Sequence, residues 1–343
     1  MDETDSRSSG IHMLLLGYSR IARKRIIAAL AASGYVRCLD IASKSLADTA
    51  DTDQTIPGQV FDSYSSALKT SHADIVYISL INSEHALWAE KALASGHHVI
   101  VDKPAFTSYS DAKRLIAIAE KKNLLLAEAN VFSFHPQINM VSDQFRNAHT
   151  SPNRITALFS FPPLSEKDFR YQARFGGGAL NDLGPYAISA GTVFFKEQPR
   201  KIFCQINNHG ETGVEIAFSI IAAYPRGRSM VGHFGFDTEY QNTITILGPS
   251  LCIQFERVFT IPADYANTLS IRRNDKAMSI AVPPADCFMN FFYHIFTALQ
   301  NKQFQDSYEH LLLHAKSLEM LKHSADRGKT CDERMGLFKG IQK

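Results

Sequence analysis

The sequence predicts two domains: an α/β domain built on a doubly wound parallel sheet, and an α+β domain with a large, mainly antiparallel open sheet. Three observations lead to this fold class. The chain has 343 residues, which is long for a single hydrophobic core. Its first third alternates short apolar runs with helical patterns. After about residue 150, strand-like runs follow one another and are separated by turn residues.

The alternation in the first third defines the elements of the first domain. Strands are predicted at residues 11–16, 36–42, 59–61, 75–79, 98–101 and 124–128, and helices at residues 20–32, 65–70, 84–95 and 110–122. Strands and helices that alternate in this way form a parallel sheet, which binds ligands at the carboxyl ends of its strands. We therefore expect one domain over residues 11–130, after a disordered start at residues 1–10.

The second part of the chain is rich in strands and ends in helices. Strands are predicted at residues 155–161, 201–207, 214–224, 229–236, 243–247, 251–256, 269–273 and 278–282, with one helix at about 182–195. This pattern predicts an α+β domain over residues 131–285. In the last segment, residues 286–343, large apolar side chains repeat at helical spacing, which indicates a packing face: Phe288, Phe291, Phe292, Ile295, Phe296 and Leu299. We expect these helices to pack back toward the first domain.

Composition excludes several classes of protein. Hydrophobic residues make up 45% and charged residues 20%, and the formal net charge is +2, so nucleic acid is not expected as the main partner. The five cysteines are odd in number and form no C-x-x-C pair, so neither a disulfide framework nor a metal site is expected. No apolar run approaches the roughly 20 residues that a membrane helix needs. The polar first ten residues do not resemble a secretory signal, so we expect a cytoplasmic protein.

A nucleotide-binding turn follows the first strand. The fingerprint G-x-G-x-x-G/A is present as Gly17, Ser19 and Ala22. Gly17 allows a tight turn, and phosphates would lie over the first helical amides, those of Arg20 and Ile21. Ser19 replaces the second glycine, and its hydroxyl could donate to a phosphate oxygen. The turn alone fits an ordinary strand–turn–helix equally well, but its position in the alternation favours a Rossmann domain.

The end of the second strand indicates which cofactor is bound. Domains that bind NAD carry an acidic residue there, which contacts the ribose hydroxyls. This chain has Ser43, Lys44 and Ser45 instead, two hydroxyls and a cation. These groups suit a 2′-phosphate, so NADP(H) is the preferred cofactor and NAD(H) the second choice. The alternative is that Lys44 is only a surface lysine.

Four further motifs occur in order along the chain. Residues 99–104 (VIVDKP) resemble an E-K-P motif in which Asp102 replaces the glutamate. Residues 176–186 (GGGALNDLGPY) resemble G-G-G-x-L-x-D-x-G-x-H/Y. Residues 81–85 (INSEH) and 128–137 (EANVFSFHPQ) are similar to two other landmarks of the same family. Over roughly residues 11–325 the sequence thus resembles the glucose–fructose oxidoreductase/inositol dehydrogenase/MocA family, and most closely its NDP-sugar 3-ketoreductase and dihydrodiol dehydrogenase-like branch.

The resemblance implies an NAD(P)-dependent oxidoreductase that transfers a hydride between nicotinamide and a sugar-like carbonyl or alcohol. The most specific function that it implies is reduction of a keto-sugar, either free or linked to a nucleotide, by a homodimer or homotetramer formed through the C-terminal sheet. Two alternatives stay open, a dehydrogenase of a diol or free sugar and a non-catalytic nucleotide-binding regulator. The motifs assign Asn82, His85, Asp102 and Lys103 to the cofactor, and Asp182 and Tyr186 to the substrate. Arg170 and Tyr171 are further candidates for substrate contact, because they precede the three glycines.

The catalytic residues are inferred from the chemistry. Reduction of a ketone leaves an alkoxide-like oxygen, which needs a proton donor and a nearby positive charge. Tyr186 supplies the proton and Lys103 the charge. Asp182 lies four residues before Tyr186, so both are expected on one face of one helix, with Asp182 near its start because Pro185 fits only a first turn. Without the motifs, Tyr186 would be a core residue, Lys103 a loop residue and His85 a structural histidine.

Overall fold

The computed structural model describes residues 10–44, 55–211 and 213–335. The predicted disordered start and Ser45 lie outside the described residues, apart from Gly10. The described chain forms two compact units. The first contains the residues through Ala105, Ser110–Asn130 and Phe288–Leu311, and the second contains Phe106–Tyr109, Val131–Cys287 and the residues from Leu312 onward.

The first unit is built on a six-stranded sheet. Its strands are β1 (Ile11–Leu16), β2 (Val36–Ala42), β3 (Val60–Phe61), β4 (Ile75–Ile78), β5 (His98–Asp102) and β6 (Leu126–Ala129). They lie in the order β3-β2-β1-β4-β5-β6, and every pairing is parallel. This confirms the predicted doubly wound sheet. The strand order reverses between β1 and β4, which is where such sheets form their ligand crevice.

Helices connect these strands, as the alternation predicts. They are α1 (Ile27–Ser33), α2 (Tyr64–Thr70), α3 (His85–Ala94) and α4 (Tyr109–Lys122). The helix predicted at residues 20–32 is wound as a π-helix over Ala22–Ile26 before α1 begins. The last four residues of β1 are fully buried because a parallel sheet is covered on both faces.

The second unit contains an eight-stranded sheet. Its strands are β7 (Arg154–Ser160), β8 (Lys201–His209), β9 (Glu215–Ala223), β10 (Ser229–Gly235), β11 (Gln241–Leu247), β12 (Leu251–Glu256), β13 (Asn267–Arg273) and β14 (Lys276–Val282). Their order is β14-β13-β12-β11-β7-β10-β9-β8, and only the β7–β10 pairing is parallel. The predicted open, mainly antiparallel sheet is therefore confirmed.

The helices of the second unit depart from the prediction in two places. Helix α5 (Pro136–Asn147) was not predicted, although proline stands in its first turn and His135 caps its start. The helix predicted at about residues 182–195 is instead two helices, α6 (Ala179–Asp182) and α7 (Gly184–Phe195). Pro185 explains the break, because it has no N–H to continue the hydrogen-bond ladder and its ring clashes with the carbonyl one turn earlier.

Two further helices end the described chain, α8 (Cys287–Asn301) and α9 (Gln305–Met335). Phe291, Phe292 and Phe296 of α8 are at most 1% exposed, and the ring of Phe292 lies 6.0 Å from that of Tyr77 in the first unit. The apolar stripe of α8 is thus a packing face, as predicted. No helix within the described ranges combines the length and apolarity needed to cross a membrane.

Candidate active site

The nucleotide-binding turn at the end of β1 has the geometry that its glycine predicts. Gly17 has φ 94°, in the left-handed region, and its N–H donates to the Ala42 carbonyl at 2.9 Å. A Cβ atom at this position would collide with the Ser79 carbonyl oxygen. Glycine is therefore required both for the backbone conformation and for the close approach of the turn to the end of β4.

Ser19 begins the helix that follows this turn. Its Oγ accepts a hydrogen bond from the Ala22 N–H at 3.1 Å, and its carbonyl accepts from the Arg23 N–H at 3.0 Å, the pattern of a helix N-cap. Arg20 and Ile21 are exposed in the first helical positions, whose N–H groups have no partner within a helix. Those amides could hold the phosphates of a dinucleotide, and the turn fits such a group.

Asp102, at the end of β5, accepts two short hydrogen bonds. Tyr77 donates to its Oδ1 at 2.7 Å, and Ser79 donates to its Oδ2 at 2.6 Å. Burial raises the pKa of the Asp102 carboxyl, while the two donors oppose that rise. Lys103 follows directly, and its peptide bond to Pro104 is cis. Asp102, predicted to contact the cofactor, thus has a hydrogen-bond donor within the protein for each carboxylate oxygen.

His85 connects two segments that follow neighbouring strands. Its Nδ1 lies 2.8 Å from the Pro104 carbonyl, and its Nε2 lies 3.0 Å from the Leu80 carbonyl. The ring is 1% exposed. These contacts favour the structural alternative for His85, because both ring nitrogens lie within hydrogen-bond distance of protein carbonyls. Asn82, the other residue predicted from this motif, is half-buried in the single 3-10 turn Asn82–Glu84 before α3.

Lys44, the cation predicted to bind a 2′-phosphate, is paired with a carboxylate. Its Nζ lies 2.9 and 3.3 Å from the Glu84 carboxylate oxygens and 5.2 Å from the centre of the Tyr64 ring. The Trp88 indole N–H also donates to Glu84 at 3.0 Å. An exposed ion pair of this kind is worth only about 0–1 kcal/mol, so a phosphate can compete for Lys44. Ser43, just before it, is buried.

In the second unit, Arg170 forms ion pairs with two aspartates. Its Nε donates to Asp182 Oδ2 at 2.7 Å, and its Nη1 donates to Asp168 Oδ1 at 3.1 Å. Burial alone would lower the pKa of Arg170, but the two carboxylates outweigh it and the pKa is raised. Asp182 is only 8% exposed. Arg170, predicted to reach the substrate, therefore holds the charged carboxylate of Asp182 in place.

The three glycines before α6 allow close contacts within the protein. Gly178 has φ 98°, and its N–H donates to the Arg170 carbonyl at 2.8 Å. A Cβ atom on Gly178 would collide with the Glu215 carboxylate, and one on Gly177 would collide with the Arg170 carbonyl. Glu215 in turn accepts from the Leu180 N–H at 3.3 Å, at the start of α6. The glycine run thus brings α6 against the segment that carries Arg170.

Tyr186 lies in the first turn of α7 among aromatic rings. Its ring centre is 5.2 Å from that of Phe159, 5.4 Å from that of Phe259 and 5.9 Å from that of Phe132. The ring is half-buried. Because α6 ends at Asp182 and α7 begins at Gly184, the prediction that Asp182 and Tyr186 lie on one continuous helix was wrong.

One predicted residue, Tyr171, bonds within the protein, and three residues that support the site were missed in the sequence. Tyr171, predicted to reach the substrate, accepts from the Leu164 N–H at 3.0 Å through its hydroxyl. Tyr77, Ser79 and Glu84 were not singled out, although each bonds to a predicted site residue. Ser79 directly follows β4, and a hydroxyl at the end of a strand beside the switch point was the only signal available.

Comparison with known proteins identifies the family. Residues 11–129 match the sequence model of an oxidoreductase family with an NAD-binding Rossmann fold, named GFO/IDH/MocA, and residues 149–251 match the C-terminal domain of the same family.

Individual relatives agree with this match. A dTDP-3,4-didehydro-2,6-dideoxy-alpha-D-glucose 3-reductase from Actinomadura kijaniata is 30% identical over 287 residues, which cover 83% of this chain and 86% of the relative. A trans-1,2-dihydrobenzene-1,2-diol dehydrogenase from Xenopus tropicalis is 27% identical and covers 68% of this chain and 69% of its own.

A solved structure resembles the whole fold. It is a 3-ketoreductase from Actinomadura kijaniata in complex with NADP and TDP-benzene, with a TM-score of 0.86 and 28% identity, covering 92% of this chain and 98% of its own. The two matched domains, and a relative matched over most of both chains, agree with the parallel sheet of the first unit and the large open sheet of the second. The chain is therefore an oxidoreductase of the GFO/IDH/MocA family.

Proposed function

We propose that this protein uses NADPH to reduce a keto-sugar that is linked to a nucleoside diphosphate. The observation that carries the proposal is the second-domain site, where Tyr186 stands among aromatic rings and Arg170 holds Asp182 as a carboxylate. The 3-reductase and 3-ketoreductase relatives support this substrate class, and one of them binds NADP and TDP-benzene.

The residues of the chain divide the chemistry between them. Bound NADPH would supply the hydride. Tyr186 donates a proton to the carbonyl oxygen as that oxygen gains charge, and Lys103 stabilises the charge electrostatically. Asp182 accepts a hydrogen bond from a sugar hydroxyl, and its ion pair with Arg170 fixes its position.

Selection of NADPH rests on Lys44 and Ser43. A 2′-phosphate would displace Glu84 as the anion that Lys44 binds, and the hydroxyl of Ser43 could donate to the same phosphate. NADH offers no such phosphate, so Lys44 would stay with Glu84. We expect NADPH to bind at least about tenfold more tightly than NADH, because one hydrogen bond to a charged group contributes about this factor to the affinity.

Cofactor binding tests this assignment directly. Calorimetric titration of the wild type with NADPH and NADH should show the preference, and Lys44→Ala should lower NADPH affinity about tenfold while leaving NADH affinity unchanged. Lys69→Ala is a matched control, because Lys69 is an exposed lysine on α2 of the same unit. Equal binding of the two cofactors would contradict the role of Lys44, and binding of neither would contradict the proposed function.

A second candidate is oxidation of a diol or free sugar, which the diol dehydrogenase relative favours. Nucleoside diphosphate keto-sugars with NADPH should be compared with trans-diols and free aldoses with NADP+, following nicotinamide absorbance in both directions. Turnover of keto-sugars at a kcat/KM at least about tenfold above that of the other compounds supports the first candidate. The reverse ranking supports the second.

We also propose that the open sheet of the second unit joins copies of the chain. Three apolar side chains lie side by side on its exposed face, paired in register across β8, β9 and β10: Phe203, Ile221 and Val231, with exposures of 53%, 53% and 40%. Adjacent exposed apolar side chains of this kind are typical of an interface. Sedimentation should show a dimer or tetramer for the wild type and smaller species for Ile221→Lys. A monomeric wild type would contradict this proposal.

A further inference from the structure

Four side chains of the first unit form one continuous chain of hydrogen bonds. Tyr77 and Ser79 donate to the two oxygens of Asp102 at 2.7 and 2.6 Å, and Ser79 Oγ lies 2.7 Å from Ser19 Oγ. Tyr77 and Ser79 are buried, and Ser19 and Asp102 are half-buried. The chain therefore links the nucleotide-binding turn to the strand end that precedes Lys103.

The direction of these hydrogen bonds follows from the number of protons. Ser79 has one hydroxyl proton, and it is donated to Asp102. The contact between the two serines therefore requires Ser19 to donate to Ser79. Ser19 keeps its lone pairs for the Ala22 N–H. Its proton is thus committed to Ser79, which removes the phosphate contact expected from the sequence.

Ser79 also contacts the turn through its backbone. Its N–H donates to the Leu16 carbonyl at 2.9 Å, and its carbonyl oxygen occupies the space that a side chain on Gly17 would need. Ser79 therefore touches the residue before the glycine, the glycine and the serine that follows. Its hydroxyl is already satisfied by Asp102, so the added contact to Ser19 serves to orient Ser19.

We propose that Ser79 is a positioning residue for the cofactor: supported by Asp102, it fixes the Ser19 hydroxyl as the helix cap, so that a turn with serine in place of glycine still presents the amides of Arg20 and Ile21 to the pyrophosphate. This inference rests on the proposed function, because it requires a dinucleotide at the turn. A serine free to rotate would place its hydroxyl among those amides and would leave the Ala22 N–H uncapped.

The test combines single and double variants with two measurements. NADPH affinity is measured by calorimetry, and hydrogen exchange of the Ala22 amide is measured on the protein without added cofactor. We expect Ser79→Ala and Ser19→Ala each to weaken NADPH binding about tenfold, and the double variant to be no weaker than the worse single variant. Ser79→Ala should also speed exchange at Ala22, which loss of folding stability alone would not do selectively.

Matched variants separate this role from a general loss of structure. Ser33→Ala is the control, since Ser33 is a buried serine of the same unit whose hydroxyl bonds only to the backbone, at Leu30 and Tyr35. It should change neither NADPH binding nor exchange at Ala22. Ser79→Thr keeps the hydroxyl and should bind as the wild type does. If Ser79→Ala fails to fold, the NADPH affinities of Ser19→Ala and Ser79→Thr still test the inference.

Several results would overturn the inference and leave the proposed function standing. These are unchanged NADPH affinity in Ser79→Ala, additive effects in the double variant, or unchanged exchange at Ala22 in Ser79→Ala. A wild-type protein that binds neither nicotinamide cofactor would overturn both proposals.

Discussion

The two units hold their functional side chains by different physical means. In the first unit, a chain of hydroxyl hydrogen bonds runs from Ser19 to the Asp102 carboxylate, and both ring nitrogens of His85 lie within hydrogen-bond distance of backbone carbonyls. In the second unit, Arg170 holds Asp182 by charge and three phenylalanine rings surround Tyr186. The hydrogen-bond chain of the first unit joins residues that are far apart in the sequence, whereas Arg170 and Asp182 are only 12 positions apart.

This difference explains how each unit accommodates changes of residue type. The hydrogen-bond chain tolerates two departures from the family motifs, serine in place of glycine at position 19 and aspartate in place of glutamate at position 102. Hydroxyl donors can rotate toward an acceptor in a new position. An ion pair depends on both charges, since a buried charge without its partner is costly. We therefore expect the second unit to be the less tolerant of substitution at its site.

The largest expected effect concerns Tyr186. Tyr186→Phe keeps the aromatic packing and removes the proton donor, so kcat should fall about 10²- to 10⁴-fold, with NADPH affinity unchanged. Steady-state kinetics with the best keto-sugar, together with calorimetry, measure both. Tyr224→Phe is the matched control, because Tyr224 is a buried tyrosine of the same unit outside the site. Full turnover by Tyr186→Phe would rule out its role as the acid.

The next effect tests the pH response of the second unit. Burial lowers the pKa of His135 to about 4 from an ordinary value of 6.5. Between pH 6.5 and pH 4, His135 binds a proton in the unfolded chain but not in the folded protein. The free energy of unfolding is therefore unaffected by this group above pH 6.5, and it decreases by up to about 3 kcal/mol as the pH falls toward 4. His135→Asn keeps a capping side chain and should lose this part of the pH dependence. Urea unfolding at pH 7 and pH 4.5 tests it, and an unchanged pH slope would refute it.

A smaller effect is expected from Arg170. Arg170→Met removes the guanidinium that pairs with the Asp182 carboxylate, and it should lower the free energy of unfolding by about 2 kcal/mol, less than for a fully buried pair because the arginine side chain is 29% exposed. Adding Asp182→Asn should restore part of the loss, because it removes the charge that Arg170 neutralised. Denaturant unfolding of the wild type, the two single variants and the double variant measures the coupling, and strictly additive losses would contradict it.

The smallest effect concerns the exposed pair in the first unit. Glu84→Gln removes the carboxylate that competes with a 2′-phosphate for Lys44, so NADPH should bind about threefold more tightly while NADH binding stays the same. Glu90→Gln is the control, because Glu90 pairs with Arg114 at 2.6 Å in another surface ion pair of that unit. Calorimetry with both cofactors measures the ratio. Weaker NADPH binding by Glu84→Gln would show that Glu84 assists the cofactor.

Much of the fold was predictable because it depends on local patterns. The bounds of β1, β2 and β12 agree with the prediction, and both sheet types follow from the spacing of apolar runs and turns. Helix α5 was missed although the sequence carries its signal, because Ile138, Val141 and Phe145 repeat at helical spacing and Pro136 fits a first turn. The break between α6 and α7 was missed because the spacing of Asp182 and Tyr186 outweighed the proline between them.

The sequence by itself determined the fold class, the place of the nucleotide turn and the candidates Lys103, Asp182 and Tyr186, because these depend on residue type and order along the chain. Only the tertiary structure decided which groups those candidates and their neighbours contact. Ser19 contacts a serine that is 60 positions away in the sequence, Lys44 contacts a glutamate 40 positions away, and Asp102 contacts a tyrosine 25 positions away. Such partners are set by strand order in the sheet, which brings distant strand ends together and which no local pattern records.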